Sequence, residues 1–122
     1  MQRAIAILVL LCATLAGCGE QDGARAAVAV GGDAGRGRQL LVQYGCAGCH
    51  TIKGVRGERG LVGPPLADLR QRAIIAGSLP NTPENMERWI MHPRQISPRS
   101  AMPELGVTPE QARDMTAYLY KH

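Results

Sequence analysis

The chain has no phenylalanine and only four aromatic residues: Tyr44, Trp89, Tyr118 and Tyr120. Large apolar rings fill the centre of most domains of this size, so the chain is short of filling of its own. It also lacks a basic run. All but two of its 14 basic residues are arginine, and they are scattered without interleaved aromatics. That excludes nucleic-acid binding through a basic tract with stacking rings. The net charge of +4 then reads as an ordinary solvated surface. No stretch alternates apolar and polar residues at period two, so no sheet is expected and the class is all-α. Cysteine is scarce where it would be structural. Of the four, Cys12 and Cys18 lie near the N-terminus, and Cys46 and Cys49 lie three apart. No staple remains for the domain unless that last pair bridges.

What is present centres on Cys46-Ala47-Gly48-Cys49-His50. Two thiols three apart, followed at once by histidine, form the signature of c-type haem attachment. The spacing has a chemical reason. Two thiolates on one short turn can add across the two vinyl groups of a haem, and the adjacent imidazole then reaches the fifth position on iron. A haem would also supply the apolar volume that the missing aromatics do not.

Residues 1–17 read as an export signal. Arg3 gives a positive start, and Ala4 to Leu15 is an apolar run too short to span a bilayer comfortably. Leu15-Ala16-Gly17-Cys18 resembles the lipobox of bacterial lipoproteins at every position, with cleavage before Cys18 and acylation of its thiol. Cys12 leaves with the leader. Several acyl chains anchor a protein firmly where one does not. Gly19 rather than Asp after the cysteine leans toward outer-membrane sorting without deciding which membrane holds the anchor. Residues 18–32 are rich in Gly and Ala and read as a mobile tether carrying lipidated Cys18. The folded domain is expected over residues 33–122.

Within it, Asp33 can cap a first helix that runs to Tyr44, with Leu40, Leu41 and Tyr44 on one face and Gly45 as its stop. Residues 51–65 form a loop with glycine at 54, 57, 60 and 63. Leu66 to Ala76 is read as a short helix with Leu66, Leu69, Ala73 and Ile74 inward. Thr82-Pro83-Glu84 is a strong helix start; that helix presents Met86, Trp89 and Ile90 and stops before Pro93. Ile96 to Gly106 is a loop. Thr108-Pro109-Glu110-Gln111 adds a capping box to a last helix reaching about Tyr120, with Ala112, Met115, Tyr118 and Leu119 inward.

From Asp33 onward the chain resembles class I cytochromes c, and is most similar to the cytochrome c domain of terminal oxidase subunit II. The resemblance rests on Cys46 to His50, Gly63-Pro64-Pro65-Leu66, Leu79 to Asn85, Arg88-Trp89-Ile90 with Pro93, and Met102-Pro103. It implies four to five short helices around one covalent haem c, with the first and last helices crossing so that Gly37 and Leu41 face Tyr118. Cys46 and Cys49 would form the thioethers. His50 and Met102 would be the axial iron ligands, with the Pro64 carbonyl orienting His50. Arg72 would meet a haem propionate, and Trp89 would lie beside the haem. Leu41 stands where relatives often have Phe, and Trp89 where mitochondrial relatives usually have Tyr.

Other sulfur and imidazole groups have plainer readings. Met86 and Met115 sit on helix faces as core filler, and Met91 faces away from the haem. His92 is a surface helix end and His122 a frayed terminus. The leading function is a non-enzymatic electron carrier: exported, lipid-anchored facing the periplasm, monomeric, with a terminal oxidase or another respiratory complex as its transient partner. The alternatives are a haem enzyme or gas sensor with a labile Met102, and a haem-free dithiol or a zinc site using His50 and His92.

Overall fold

The computed structural model describes residues 31–57, 60 and 62–122. The leader, Cys18 and the tether up to residue 30 lie outside the described residues. Helix α1 spans Ala34–Gln43. The Asp33 carboxylate caps it by accepting from the Arg36 N–H at 2.9 Å, which satisfies one of the donors every helix start leaves free. Gly45, at φ 69°, takes the left-handed turn that ends the segment.

The C-terminal helix, α4, spans Pro109–Lys121 and opens with the full capping box, Thr108 and Gln111 each accepting from the other's backbone. Packed against it, α1 approaches so closely that a Cβ on Gly37 would collide with the Asp114 carbonyl. Glycine is required there by space. The expected crossing is present: the Gly37 Cβ position meets the backbone of Asp114 and Met115, one turn before Tyr118. The Tyr118 hydroxyl donates to the Lys53 carbonyl at 2.7 Å. The seam is locked by Asp114, a carboxylate only 2% exposed. It accepts from the Asp33 N–H at 2.7 Å and from Arg36 Nε at 2.6 Å. His122 is not simply frayed; its ring lies 4.6 Å from that of Tyr118.

Helix α2 spans Pro83–Met91, with Thr82 accepting from the Asn85 N–H and Pro83 at the first position. One further turn, α3 at Pro93–Ile96, occupies the start of what reads as connection. Pro93 explains it, since its fixed φ pre-forms a first helical position, and its carbonyl accepts from the Ser97 N–H at 2.8 Å.

The helix expected over 66–76 does not form. The chain makes a 3-10 turn at Leu69–Gln71, then a short antiparallel ribbon of β1 (Ile74–Ile75) and β2 (Leu79–Pro80), pairing Ile74 with Pro80 and Ile75 with Leu79. Two causes act together. Asp68 and Ala76 adopt left-handed φ of 53° and 51°, which no α-helix tolerates. The Asn81 side chain takes the Leu69 and Arg72 carbonyls, each at 2.7 Å, which a helix would need for itself. Ile75 rather than Ile74 is therefore buried, and Ala73 is exposed. The ribbon also corrects the expectation of no sheet: strands of two residues are too short to show alternation. The rest is all-α, with one core shared by α1, α2, α4 and the segment around Ala47, Ile52 and Val55. Among the described residues, no helix is long and apolar enough to cross a membrane.

Candidate functional site

The attachment motif follows directly on Gly45. Cys46–Gly48 forms a 3-10 turn, and the His50 N–H donates back to the Cys46 carbonyl at 3.0 Å. Cys46 is half-buried and Cys49 exposed, and neither is paired in a disulfide. Burial pushes the Cys46 thiol above its ordinary pKa, since the thiolate is the form that loses most by leaving water.

His50 is held from three sides. The Gly63 N–H donates to the Cys49 carbonyl and the Leu66 N–H to the Thr51 carbonyl, both at 2.8 Å. Between these bonds, His50 Nδ1 lies 2.8 Å from the Pro64 carbonyl. A carbonyl oxygen can only accept, so Nδ1 carries the proton and Nε2 keeps the free lone pair. The recurring glycines of the loop now have a use. A Cβ on Gly60 would strike the Cys49–His50 backbone, and one on Gly63 would strike the imidazole itself. Side chains at those places would drive the loop off the motif.

Beside the motif lies a cavity of about 560 Å³. Leu41, Leu69, Ile75, Ile90 and Leu119 give it an apolar wall, and Cys46, Cys49 and His50 line it together with Met102, Trp89, Pro64 and Arg72. Each residue that the sequence singles out for haem contact is thus gathered at one cavity. Met102 sits in the 97–106 loop, its N–H bonded to Ser100 Oγ at 3.1 Å. Met86 and Met115 also reach the cavity but are nearly fully buried between helices, at 4% and 1% exposure. Met91 and His92 do not line it. The Arg72 guanidinium donates to the Pro65 carbonyl. Sequence reasoning missed Ile75, Val62 and Leu105 as cavity residues. Only composition pointed to them, because they lie in a ribbon or loop with no periodicity to read.

The donor set fits haem c. Two unpaired thiols, an imidazole with its Nε2 lone pair free, a loop thioether and one guanidinium face a large apolar space, which matches a flat apolar macrocycle with a metal centre and acidic edge groups. A zinc site is not supported: among the described residues, no three His, Cys, Asp or Glu side chains cluster to hold a metal ion.

A family model for Cytochrome c matches residues 34–122. The chain belongs to the cytochrome c family. Its cytochrome c domain is 33% identical over 87 residues to cytochrome c oxidase subunit 2 of Alkalihalophilus pseudofirmus, covering 70% of this chain and 25% of that protein. It is 33% identical over 85 residues to the subunit 2 of Bacillus sp. (strain PS3), covering 66% and 24%. Against the Bacillus subtilis subunit 2 it is 29% identical over 89 residues, covering 71% and 24%. The chain thus spans about a quarter of the length of the curated relatives it matches. The fold is the class I cytochrome c fold, the cofactor is covalently bound haem c at Cys46 and Cys49, and the protein is an electron-transfer haem protein.

Proposed function

We propose that this cytochrome carries single electrons in a respiratory chain from a membrane-tethered position facing the periplasm, and exchanges them with a terminal oxidase or another respiratory complex. The observation that carries this reading is the pairing of two iron donors on one apolar cavity: His50, with its proton fixed on Nδ1 by the Pro64 carbonyl, and Met102. Haem c supplies a one-electron couple at the iron when bound. His50 and Met102 together would fill both axial positions, leave no vacancy for a substrate and raise the potential, as suits a carrier rather than a catalyst. Cys46 and Cys49 fix the cofactor against loss. The apolar wall excludes water, and Arg72 offers a cation to acidic edge groups. Trp89, on α2, packs one side of the cavity.

The partner assignment draws on the matched relatives, in which the corresponding region belongs to an oxidase subunit. The tether draws on Leu15 to Cys18: acylation of Cys18 would hold the protein at the membrane. The protein would act as a monomer, since electron-transfer contacts are small and transient.

Optical spectra of ferric and ferrous protein test the site. The ferric form should be low-spin with the far-red charge-transfer band of a methionine–iron bond; its absence at neutral pH would sink the axial pairing. Reduced protein added to membranes of its own host should be reoxidised by an oxidase there. Cys18→Ala should release the cytochrome from the membrane fraction while keeping its spectrum.

A further inference from the structure

The wall that carries Arg72 is fastened from behind by contacts that the carrier reading does not use. Asn81 closes it. Its side-chain amide donates to the Leu69 and Arg72 carbonyls, each at 2.7 Å, and its backbone N–H donates to the Ala73 carbonyl at 3.0 Å. Both amide protons are committed to the 3-10 turn. The amide oxygen is left to accept, and the Tyr120 hydroxyl of α4 donates to it. Tyr120 is only 4% exposed, and burial pushes its hydroxyl up to about 12, so it remains a donor at any physiological pH. On the cavity side of the turn, the Arg72 guanidinium donates to the Pro65 and Ala67 carbonyls. Pro65 adjoins Pro64, whose carbonyl orients His50.

A line of hydrogen bonds thus runs from the C-terminal helix through Asn81 and Arg72 to the loop beside His50. We propose that Asn81 and Tyr120 are positioning residues that hold the Arg72 guanidinium at the haem cavity, so that the C-terminal helix helps set the reduction potential of the iron. This rests on the carrier reading above. The physical route is electrostatic. A cation fixed on an apolar wall favours the ferrous state, which carries one positive charge fewer; the same cation released into water is screened. Arg72 donates both bonds from one terminal nitrogen, and a guanidinium has five N–H donors in all, so donors remain for an acidic group in the cavity.

The test compares full-length holoprotein of the wild type with Asn81→Ala, Tyr120→Phe, Arg72→Gln and the double variant Asn81→Ala with Arg72→Gln. Three readouts are taken: the far-red methionine band, the midpoint potential and the thermal midpoint. Asn81→Ala should lower the potential with the methionine band retained. Tyr120→Phe removes one oxygen at constant shape and should shift it the same way by less; it also keeps the test open if Asn81→Ala fails to assemble. In the Arg72→Gln background the Asn81→Ala shift should vanish, because the group it positions is gone. A merely structural pair would lower the thermal midpoint and leave the potential in place. Unchanged potentials with the band intact overturn this proposal alone, as do shifts that simply add in the double variant. A wild type without the methionine band overturns the carrier reading and this proposal with it.

Discussion

His50 shows how much of the site is decided by one side chain and the atoms around it. Its tautomer follows from one acceptor, the Pro64 carbonyl, and its ring position from one absent Cβ, at Gly63. Gly63→Ala should therefore act on the haem rather than only on the loop. The new methyl meets an imidazole pinned by its own hydrogen bond, so either the ring or residues 63–66 must move. We expect a stability loss of about 2 kcal/mol, in the range of overpacking, together with a changed midpoint potential, both read on purified holoprotein. A variant matching the wild type in both measurements would show that the ring gives way freely. Met102→Ala tests the second donor. It should abolish the far-red band, turn the ferric iron partly high-spin and lower the potential by on the order of 0.1 V or more, within the roughly 0.8 V that axial ligands command. If the band survives, Met86 or Met115, which share the cavity, would have to supply the sulfur.

Among the elements, the α1–α4 seam concentrates the constraint. Gly37→Ala places a methyl against the Asp114 carbonyl, and backbone of a packed helix cannot step aside. The expected cost is about 3 kcal/mol, seen as a lower denaturant midpoint. Gly35→Ala serves as control: its methyl meets only an Asp33 carboxylate oxygen at 3.1 Å, and the change should stay within about 1 kcal/mol of zero. Asp114 makes the seam pH-sensitive. The Arg36 guanidinium, with help from the Asp33 N–H, holds its carboxyl below the ordinary value of 3.8. The unfolded chain then binds the proton more readily, so stability rises with pH across this window. The contribution is complete above about pH 5 and fades as pH falls through the depressed folded value. Asp114→Asn should lose about 2 kcal/mol at neutral pH and show a flatter stability profile between pH 3 and 5 than the wild type, by urea unfolding of the ferric protein. These same elements show what the sequence displays and what it hides. Caps, proline starts and the Thr108–Gln111 box are local chemistry, so α1, α2 and α4 are legible from residues alone. The attachment motif is legible for the same reason. The 66–76 segment is not, because its shape is imposed by Asn81, a residue beyond it in the chain that takes its carbonyls. Ile74 and Ile75 trade places as a consequence. The register of Gly37 on Asp114 likewise depends on how two distant helices meet.

At the scale of the whole molecule, a chain short of aromatic rings holds a large apolar space beside its attachment motif. A core that must close without Phe leaves about 560 Å³ beside Leu41, Leu69, Ile75 and Leu119. The scale of that space decides what the apoprotein can be. Without haem, the apolar residues lining this space would be left facing water, which forfeits burial that a marginally stable domain depends on. The chain is therefore expected to fill the cavity or give up part of its packing. The capped helices α2 and α4 need only local bonds and can persist in part, whereas the Met102 loop faces the cavity with fewer bonds of its own, and the 3-10 turn and ribbon keep only the Asn81 fastening behind them. Cys46→Ala with Cys49→Ala, expressed without haem attachment, should give a chain with reduced far-UV helical signal, no cooperative thermal transition and dye-binding apolar surface. Covalent haem attachment in the wild type should restore a sharp transition. An apoprotein that melts cooperatively with wild-type helix content would show that the walls collapse onto one another, and that haem c is a passenger rather than the centre of this core.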